Sequence, residues 1–294
     1  MKASSSKKSG FLSTAREILV LLFIVFIIRT FGFGLYQVPT GSMETTMLVG
    51  ERFFADKFTP LFSSIKHKDI IAFNDPTFDY SSNSLIRLFQ DYVWGPSNWT
   101  KRVIGIPGDK IKGVLEEGKP VIYLNDKKLN EPYLNKYPLI EVWNNIGSGD
   151  SRVFKSWDTA FSFNKQPFYR IKSELVRKDR QGDYILRKPG TPSVDPELVR
   201  GYVKRRGKSY WGGGSDEFYV ELGPDEYWVM GDNRLGSHDS RFLGPIKKRL
   251  IHGRILFRIW SVDSYENWWF IDLFKHPIDF FKRVRWNRFF QRVK

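Results

Sequence analysis

Two stretches of the chain carry serines that could act as nucleophiles, and a third carries a lysine that could activate one. Residues 231–245, GDNRLGSHDSRFLGP, place Ser237, His238 and Asp239 side by side, the residue types of a Ser-His-Asp triad. A triad converges in space: one ring nitrogen of the base meets the nucleophile and the other meets the carboxylate. Neighbours along a strand point to opposite faces, so three consecutive residues do not make that arrangement. Ser42, in QVPTGSMETTM, is the other candidate. Taken alone its stretch reads as a loop leaving a helix, because Pro, Thr, Gly and Ser are ordinary loop residues.

A serine hydroxyl needs a base to take its proton. Lysine can serve only when neutral, and at an unperturbed pKa near 10.4 only about 0.04% is neutral at pH 7. Burial in apolar surroundings disfavours the ammonium. Lys101 fits that requirement: in WTKRVIGIPGDKI it follows Trp99 and Thr100 and precedes Val103, Ile104 and Ile106. Its other reading is a half-buried strand residue whose head reaches water. Spacing motifs do not decide the matter. S-x-x-K occurs at Ser63/Lys66, at Ser162/Lys165 and in the SSSKK leader, so it carries little information. No G-x-S-x-G elbow and no phosphate-binding G-x-x-x-x-G-K-[ST] is present. His67, His238, His252 and His276 are scattered without HExxH spacing, and the chain has no cysteine. No metal and no cofactor is expected.

Such residues need elements to hold them. The 294 residues suffice for one large or two modest domains. Lys and Arg number 47 against 32 Asp and Glu, leaving +15, which suits an anionic partner such as phospholipid or nucleic acid. Residues 18–28, ILVLLFIVFII, are unbroken apolar, about 16 Å of helix against a hydrocarbon core of roughly 30 Å. A helix over residues 12–31 would span, with Arg16 and Glu17 at one interface and Arg29 snorkelling to the other. A cleaved signal peptide would need small residues at its cut site, and RTFGFGLYQVP offers no A-x-A. A retained anchor is therefore expected. Lys2, Lys7, Lys8 and Arg16 place its N-terminal side in the cytoplasm, and Ser42 then lies near the outer membrane face.

Beyond the anchor come short runs, RFFADKF, DIIAFN, KPVIYLN, EFYVEL, EYWVMGD and GRILFRIW, separated by turn signals GPS, PGD and GPD. This reads as mainly β, with no long amphipathic helix. The expected organisation is an anchor segment (1–35), a catalytic β domain in two parts (36–137 and 216–262), an inserted, loop-rich second lobe (138–215) containing RKPGTPSVDP and RRGKSYWGGGS, and a basic, aromatic tail (263–294). The tail suits a membrane interface by composition, but its helical wheel after Pro277 mixes basic and aromatic residues, so a packed element fits equally.

Taken together, LFIVFIIRTFGFGLYQVPTGSM, HKDIIAFNDP, KRVIGIPGDKI and YWVMGDNRLGSHDSRFLGPI resemble, in order, the boxes of type I signal peptidases (leader peptidases), the membrane-anchored Ser/Lys proteases of bacterial export. The resemblance covers residues 18–113 and 222–262. It implies an all-β signal-peptidase-like domain in which Ser42 is the nucleophile, Lys101 the general base and Ser237 the hydroxyl that orients the lysine. It implies an oxyanion hole from the Ser42 N–H and the Thr40 hydroxyl, a structural pair Asp239–Arg241, and a turn shaped by Gly231, Asp232 and Asn233. Tyr36, Val38, Met43, Met47 and Thr100 would line shallow pockets for small side chains, with plain core packing as their other reading; His238 would be a bystander. The implied partners are exported preproteins, cut after small residues at A-x-A type sites, together with membrane lipid and the export translocon, and no nucleic acid. The implied location is the bacterial cytoplasmic membrane, single-pass, with the catalytic domain outside.

The chain departs from the family pattern in two places. The nucleophile box usually continues Ser-Met-x-Pro-Thr and here reads Ser42-Met43-Glu44-Thr45-Thr46, and Leu235 and Gly236 stand where the last box usually has acidic or amide residues. Two other readings stay open at this level: a catalytically impaired relative, and a tethered, non-enzymatic module binding anionic lipid or nucleic acid through its tail.

Overall fold

Alternation builds the strands. In β2 (Arg52–Asp56) Phe53 and Ala55 are buried while Arg52, Phe54 and Asp56 are half-buried. In β3 (Ile70–Asn74) four consecutive residues are buried, as a central strand covered on both faces requires. A computed structural model describes residues 4–144, 151–193, 215–264 and 269–293. Its main sheet is antiparallel, in the order β1 (Phe33–Gln37), β2, β14 (Ile251–Trp260), β3, β4 (Asn98–Gly105), β12 (Glu226–Met230), β13 (Ile246–Lys247), with β15 (Gln291–Arg292) pairing β14. A four-stranded sheet runs β11 (Phe218–Glu221), β5 (Lys110–Glu116), β6 (Lys119–Leu124), β7 (Lys127–Lys128). A three-stranded sheet runs β10 (Leu186–Arg187), β8 (Leu139–Asn144), β9 (Ser151–Ser156). Each of the six expected strand runs carries a strand. The RRGKSYWGGGS stretch, apart from Ser215, and Val194 to Pro196 of RKPGTPSVDP lie outside the described residues.

The two faces of the main sheet feed different cores. Ile70 and Ala72 join Val38, Met43, Met47, Phe53 and Ile255 on one side, and Ile71 and Phe73 join Val103, Tyr227 and Val229 on the other. Ile104, Trp228 and Met230 meet Ile111, Ile122 and Phe218 of the four-stranded sheet. The three-stranded sheet packs through Ile140 and Val142 onto Leu48 of the nucleophile loop.

At the N-terminus, α1 spans Ser4–Ile27. Among the described residues no helix is long and apolar enough to cross a membrane. The apolar side chains of α1 from Ile18 to Ile27 are nevertheless mostly exposed, Leu19 at 66% and Phe23 at 63%. Two short helices follow, α2 (Thr59–Phe62) and α3 (Ser84–Tyr92). The amphipathic α3 is not among the elements expected from the sequence. A third, α4 (Ser240–Leu243), follows the last box.

The tail folds back onto the sheet as α5 (Trp269–Lys275) and α6 (Pro277–Arg283). Phe280 is 1% exposed and packs with Val262 and Val284; Trp260 and Trp269 flank it. Arg288 donates from Nε to buried Glu51 Oε1 at 2.6 Å. The described tail is thus a packed element, and Trp268 of its WW pair lies outside the described residues. We expect Phe280→Ala to cost about 3 to 5 kcal/mol through the cavity it leaves, read as a lower Tm. An unchanged Tm would contradict the packed tail.

Candidate active site

Strand alternation separates Lys101 from Arg102. On β4, Lys101 shares a face with Trp99 and Val103, and Arg102 points the opposite way. Both are buried, Lys101 at 5% exposure and Arg102 at 0%. The Lys101 amine donates to Ser42 Oγ at 2.8 Å and sits 5.7 Å from the centroid of the Trp99 ring. Burial pushes its pKa down to about 8; Asp239 and Asp232 pull it up and Arg241 pushes it further down. At that value about a tenth of the amine is neutral at pH 7, a gain of more than a hundredfold over a solvated lysine. The arrangement supplies an activated hydroxyl with its proton acceptor in contact.

The carboxylates near the amine are already paired. Asp232 accepts from Arg102 Nε at 2.8 Å and NH2 at 2.6 Å, and from Thr46 Oγ1 at 2.6 Å. Asp239 accepts from Arg241 Nε at 2.8 Å and NH2 at 2.9 Å, and from the Gly231 N–H at 3.0 Å. Burial alone would raise the Asp239 pKa, but the Arg241 guanidinium and these bonds hold it at about 2. Arg241 also reaches Asp216 at 2.7 Å. Each pair is bidentate, which fixes the backbone that carries it.

Ser42 sits in a single 3-10 turn, Gly41–Met43, entered from extended Thr40. Asn233 holds that turn twice, its N–H on Ser42 O at 3.1 Å and its Nδ2 on Gly41 O at 2.9 Å. Glu44, fully buried, lies directly behind it. The Glu44 carboxyl accepts from Ser156 N at 3.1 Å and Ser156 Oγ at 2.7 Å, and burial raises its pKa. A Cβ on Gly41 would come within 2.5 Å of Glu44 Oε1. A Cβ on Gly231 would come within 2.2 Å of Ser237 Oγ and 2.4 Å of Ser42 O. Only glycine fits at 231, where the clash is with backbone, and a side chain at 41 would have to displace the Glu44 carboxyl. The Glu44–Thr45 peptide, at the departure from the Pro pattern, is cis.

The remaining sequence candidates are placed as follows. Ser237 is buried beside Gly231, and its hydroxyl makes no hydrogen bond to Lys101. It lies close enough to Asp239 to favour the charged carboxylate. Thr40, two residues before Ser42, is exposed. Met43 and Met47 are each 1% exposed and Val38 is 7% exposed, so these three are core residues. Tyr36 and Thr100 are half-buried, and the Tyr36 hydroxyl is 2.9 Å from His252 Nδ1. Burial, with nearby Lys57, pushes the His252 pKa down to about 3, so its ring is neutral. His238 packs against Trp99 and Phe242, and burial lowers its pKa. The sequence reading missed Arg102, Glu44 and Glu51. The signal for Arg102 was available: a Lys-Arg pair inside an apolar strand must bury a charge on each face, and each then needs a partner.

The model of the family described as "Signal peptidase, peptidase S26" matches residues 11–260. The chain is 26% identical over 275 residues to signal peptidase I of Buchnera aphidicola subsp. Acyrthosiphon pisum, covering 90% of this chain and 80% of that one. It is 26% identical over 257 residues to signal peptidase I of Bacillus amyloliquefaciens, covering 87% and 91%. Among solved structures it is similar to a signal peptidase I from Enterococcus faecalis V583, at 16% identity and a TM-score of 0.28, covering 65% of this chain and 97% of that one.

The Asn233 contacts yield a test. Asn233→Ala removes the Nδ2 bond to the Gly41 carbonyl, worth about 1 kcal/mol with a further cost of roughly 1 kcal/mol for the buried acceptor left unpaired. Tm should fall by several degrees, and turnover of a peptide substrate should fall by up to about 30-fold if the displaced turn raises the barrier by the same amount. Full activity in Asn233→Ala would show that the turn needs no such clamp.

Proposed function

Because the chain belongs to the signal peptidase family, peptidase S26, we propose that it is a membrane-anchored serine endopeptidase that removes signal peptides from exported preproteins, with Ser42 as nucleophile and Lys101 as base. The observation that carries this assignment is the buried 2.8 Å contact between the Lys101 amine and the Ser42 hydroxyl. Neutral Lys101 takes the Ser42 proton as Oγ attacks the scissile carbonyl. The oxyanion is received by the Ser42 N–H and the Thr40 hydroxyl, donors that matter most once negative charge has formed. Collapse breaks the C–N bond, the Lys101 ammonium returns its proton to the leaving amine, and the acyl group stays on Ser42. Water, deprotonated by Lys101, then releases it.

Ser237 and the paired residues complete the proposal. The Ser237 hydroxyl, beside Gly231, takes up the lysine amine when substrate closes the site; catalytic hydrogen bonds are often long in a free enzyme. Asp232 and Asp239, each satisfied by an arginine, hold the backbone around it. Tyr36 and Thr100 form the walls, and Val38, Met43 and Met47 the floor, of shallow pockets that admit small side chains before the bond. The exposed apolar length of α1 anchors the chain in the cytoplasmic membrane, N-terminus inside, so that the site meets preproteins already concentrated at the outer face. The described residues of the 138–215 insertion contact Leu48 and Glu44 and so brace the nucleophile loop. A lipid- or nucleic-acid-binding module has no use for a neutralised lysine against a buried serine.

Ser42→Ala and Lys101→Ala should each abolish cleavage of a preprotein with an A-x-A site while leaving the fold intact, and the double variant should be no worse. Lys101→Arg should be equally inactive, since a guanidinium does not deprotonate. Below about pH 8 the rate should rise roughly tenfold per pH unit and then level off as the amine loses its proton, and His238→Ala should leave that profile unchanged. Substantial turnover by Lys101→Ala, or a profile set by a group near 6.5 that disappears with His238, contradicts the assignment.

A further inference from the structure

Helix α3 leaves its apolar face uncovered. Asn83 caps it, its Oδ1 accepting from Leu85 N at 3.0 Å and Ile86 N at 3.2 Å. On a helical wheel its apolar residues occupy one arc of about 160°. That arc faces solvent: Leu85 is 78% exposed, Ile86 51%, Leu88 56% and Phe89 52%, and Val93 and Trp94 just beyond are 49% and 79% exposed. The helix touches the protein lightly through its polar side: Gln90 is half-buried, while Ser84, Arg87 and Asp91 are exposed as well. Gln90 Oε1 accepts from Ser81 N at 2.9 Å, and the Arg87 guanidinium lies 5.5 Å from the centroid of the Tyr80 ring. A surface helix of a water-soluble domain is oriented the other way, and an apolar patch of this extent marks an interaction surface.

We propose that α3 lies in the bilayer interface, with its apolar face among the lipid headgroups and upper acyl chains. Its position selects lipid as the occupant. Gln90, Asp91, Val93 and Trp94 share one cleft with Arg29, Thr30 and Lys57 at the foot of α1, and Lys57 Nζ donates to the Arg29 carbonyl at 3.0 Å. The end of α3, with exposed Val93 and Trp94, therefore lies beside the foot of α1. Leu35 on β1, 70% exposed, and Phe62 on α2, 76% exposed, present further uncovered apolar surface. Arg29 and Lys57 supply positive charge for lipid phosphate, against the one carboxylate of Asp91 in the cleft. Helices of this kind sink roughly 5 to 10 Å into the headgroup boundary. The placement rests on the anchoring of α1 proposed above.

The chain has no cysteine, so single cysteines can be introduced into the full-length protein and labelled with a polarity-sensitive fluorophore. Leu88→Cys reports α3, Leu21→Cys reports the anchor, and Lys127→Cys reports an exposed position on β7. In vesicles of phosphatidylethanolamine and phosphatidylglycerol, the Leu88 label should shift to the blue and lose emission when nitroxide-bearing lipid is included, far more than the Lys127 label. A Leu88 label quenched no more than the Lys127 label overturns the proposal whatever the Leu21 label reports. Quenching at Leu88 without quenching at Leu21 supports the α3 contact and refutes the anchor. A Leu88 label that is shielded in detergent in proportion to protein concentration, and is not quenched in lipid, overturns the proposal in favour of contact between copies of the chain.

Discussion

An ammonium cannot accept a proton, so everything at this site depends on keeping water from the Lys101 amine. Lowering its pKa from 10.5 to about 8 means that holding it protonated in the fold costs about 3 kcal/mol. The unfolded chain binds that proton more tightly, so the cost is present in full below about pH 8 and disappears as pH rises towards 10.5. Two carboxylates lie close enough to undo the effect. Unpaired, Asp232 and Asp239 would draw the proton back; bound to Arg102 and Arg241, they present nearly neutral pairs. Arg241, which pushes the Lys101 pKa down, is thus part of the condition under which lysine can serve as a base.

The same logic accounts for the bracing of the nucleophile loop. A serine in a single 3-10 turn has little structure of its own, and misplacing it by an ångström forfeits much of the gain from a nearby base. Three groups distant in sequence hold the loop. Asn233 pins the carbonyls of Gly41 and Ser42, and Ser156 of β9 binds the Glu44 carboxyl. Glu51 accepts from Leu48 N, Arg258, Ser261 and Arg288, while the Arg288 guanidinium also reaches the carbonyl oxygens of Thr45 and Thr46. The three-stranded sheet and the tail, which lack any chemical signature, therefore both contact the loop that carries Ser42.

Legibility in the sequence followed the physics of each feature. Strands such as EYWVM and IIAF announce themselves because burial on one or both faces writes a pattern into consecutive residues. Ser42 and Lys101 were legible through the resemblance of their boxes to those of signal peptidases; the local residues alone fitted a polar loop and a half-buried strand lysine as well. The pairs Arg102–Asp232 and Glu51–Arg288 were not, since 130 and 237 positions separate their members and no local pattern reports such a contact. The tail's wheel mixes charge and aromatic residues because Phe280 is buried while Phe281 is exposed and Arg283 binds Asp272. Helix α3 escaped for the opposite reason: its nine residues show a clean amphipathic pattern, but pattern alone does not say which side faces the protein.

The most direct test of the account is titration of the Lys101 side chain itself, by NMR of the full-length protein carrying isotope-labelled lysine, with its signal identified by its loss in Lys101→Arg. The account predicts a midpoint near pH 8, well separated from the other lysines, that moves upward when Asp239 is freed of its partner in Arg241→Gln. A Lys101 signal titrating with the solvated lysines near 10.5 would contradict it, because the amine would then be an ammonium at every working pH and could not take the proton from Ser42.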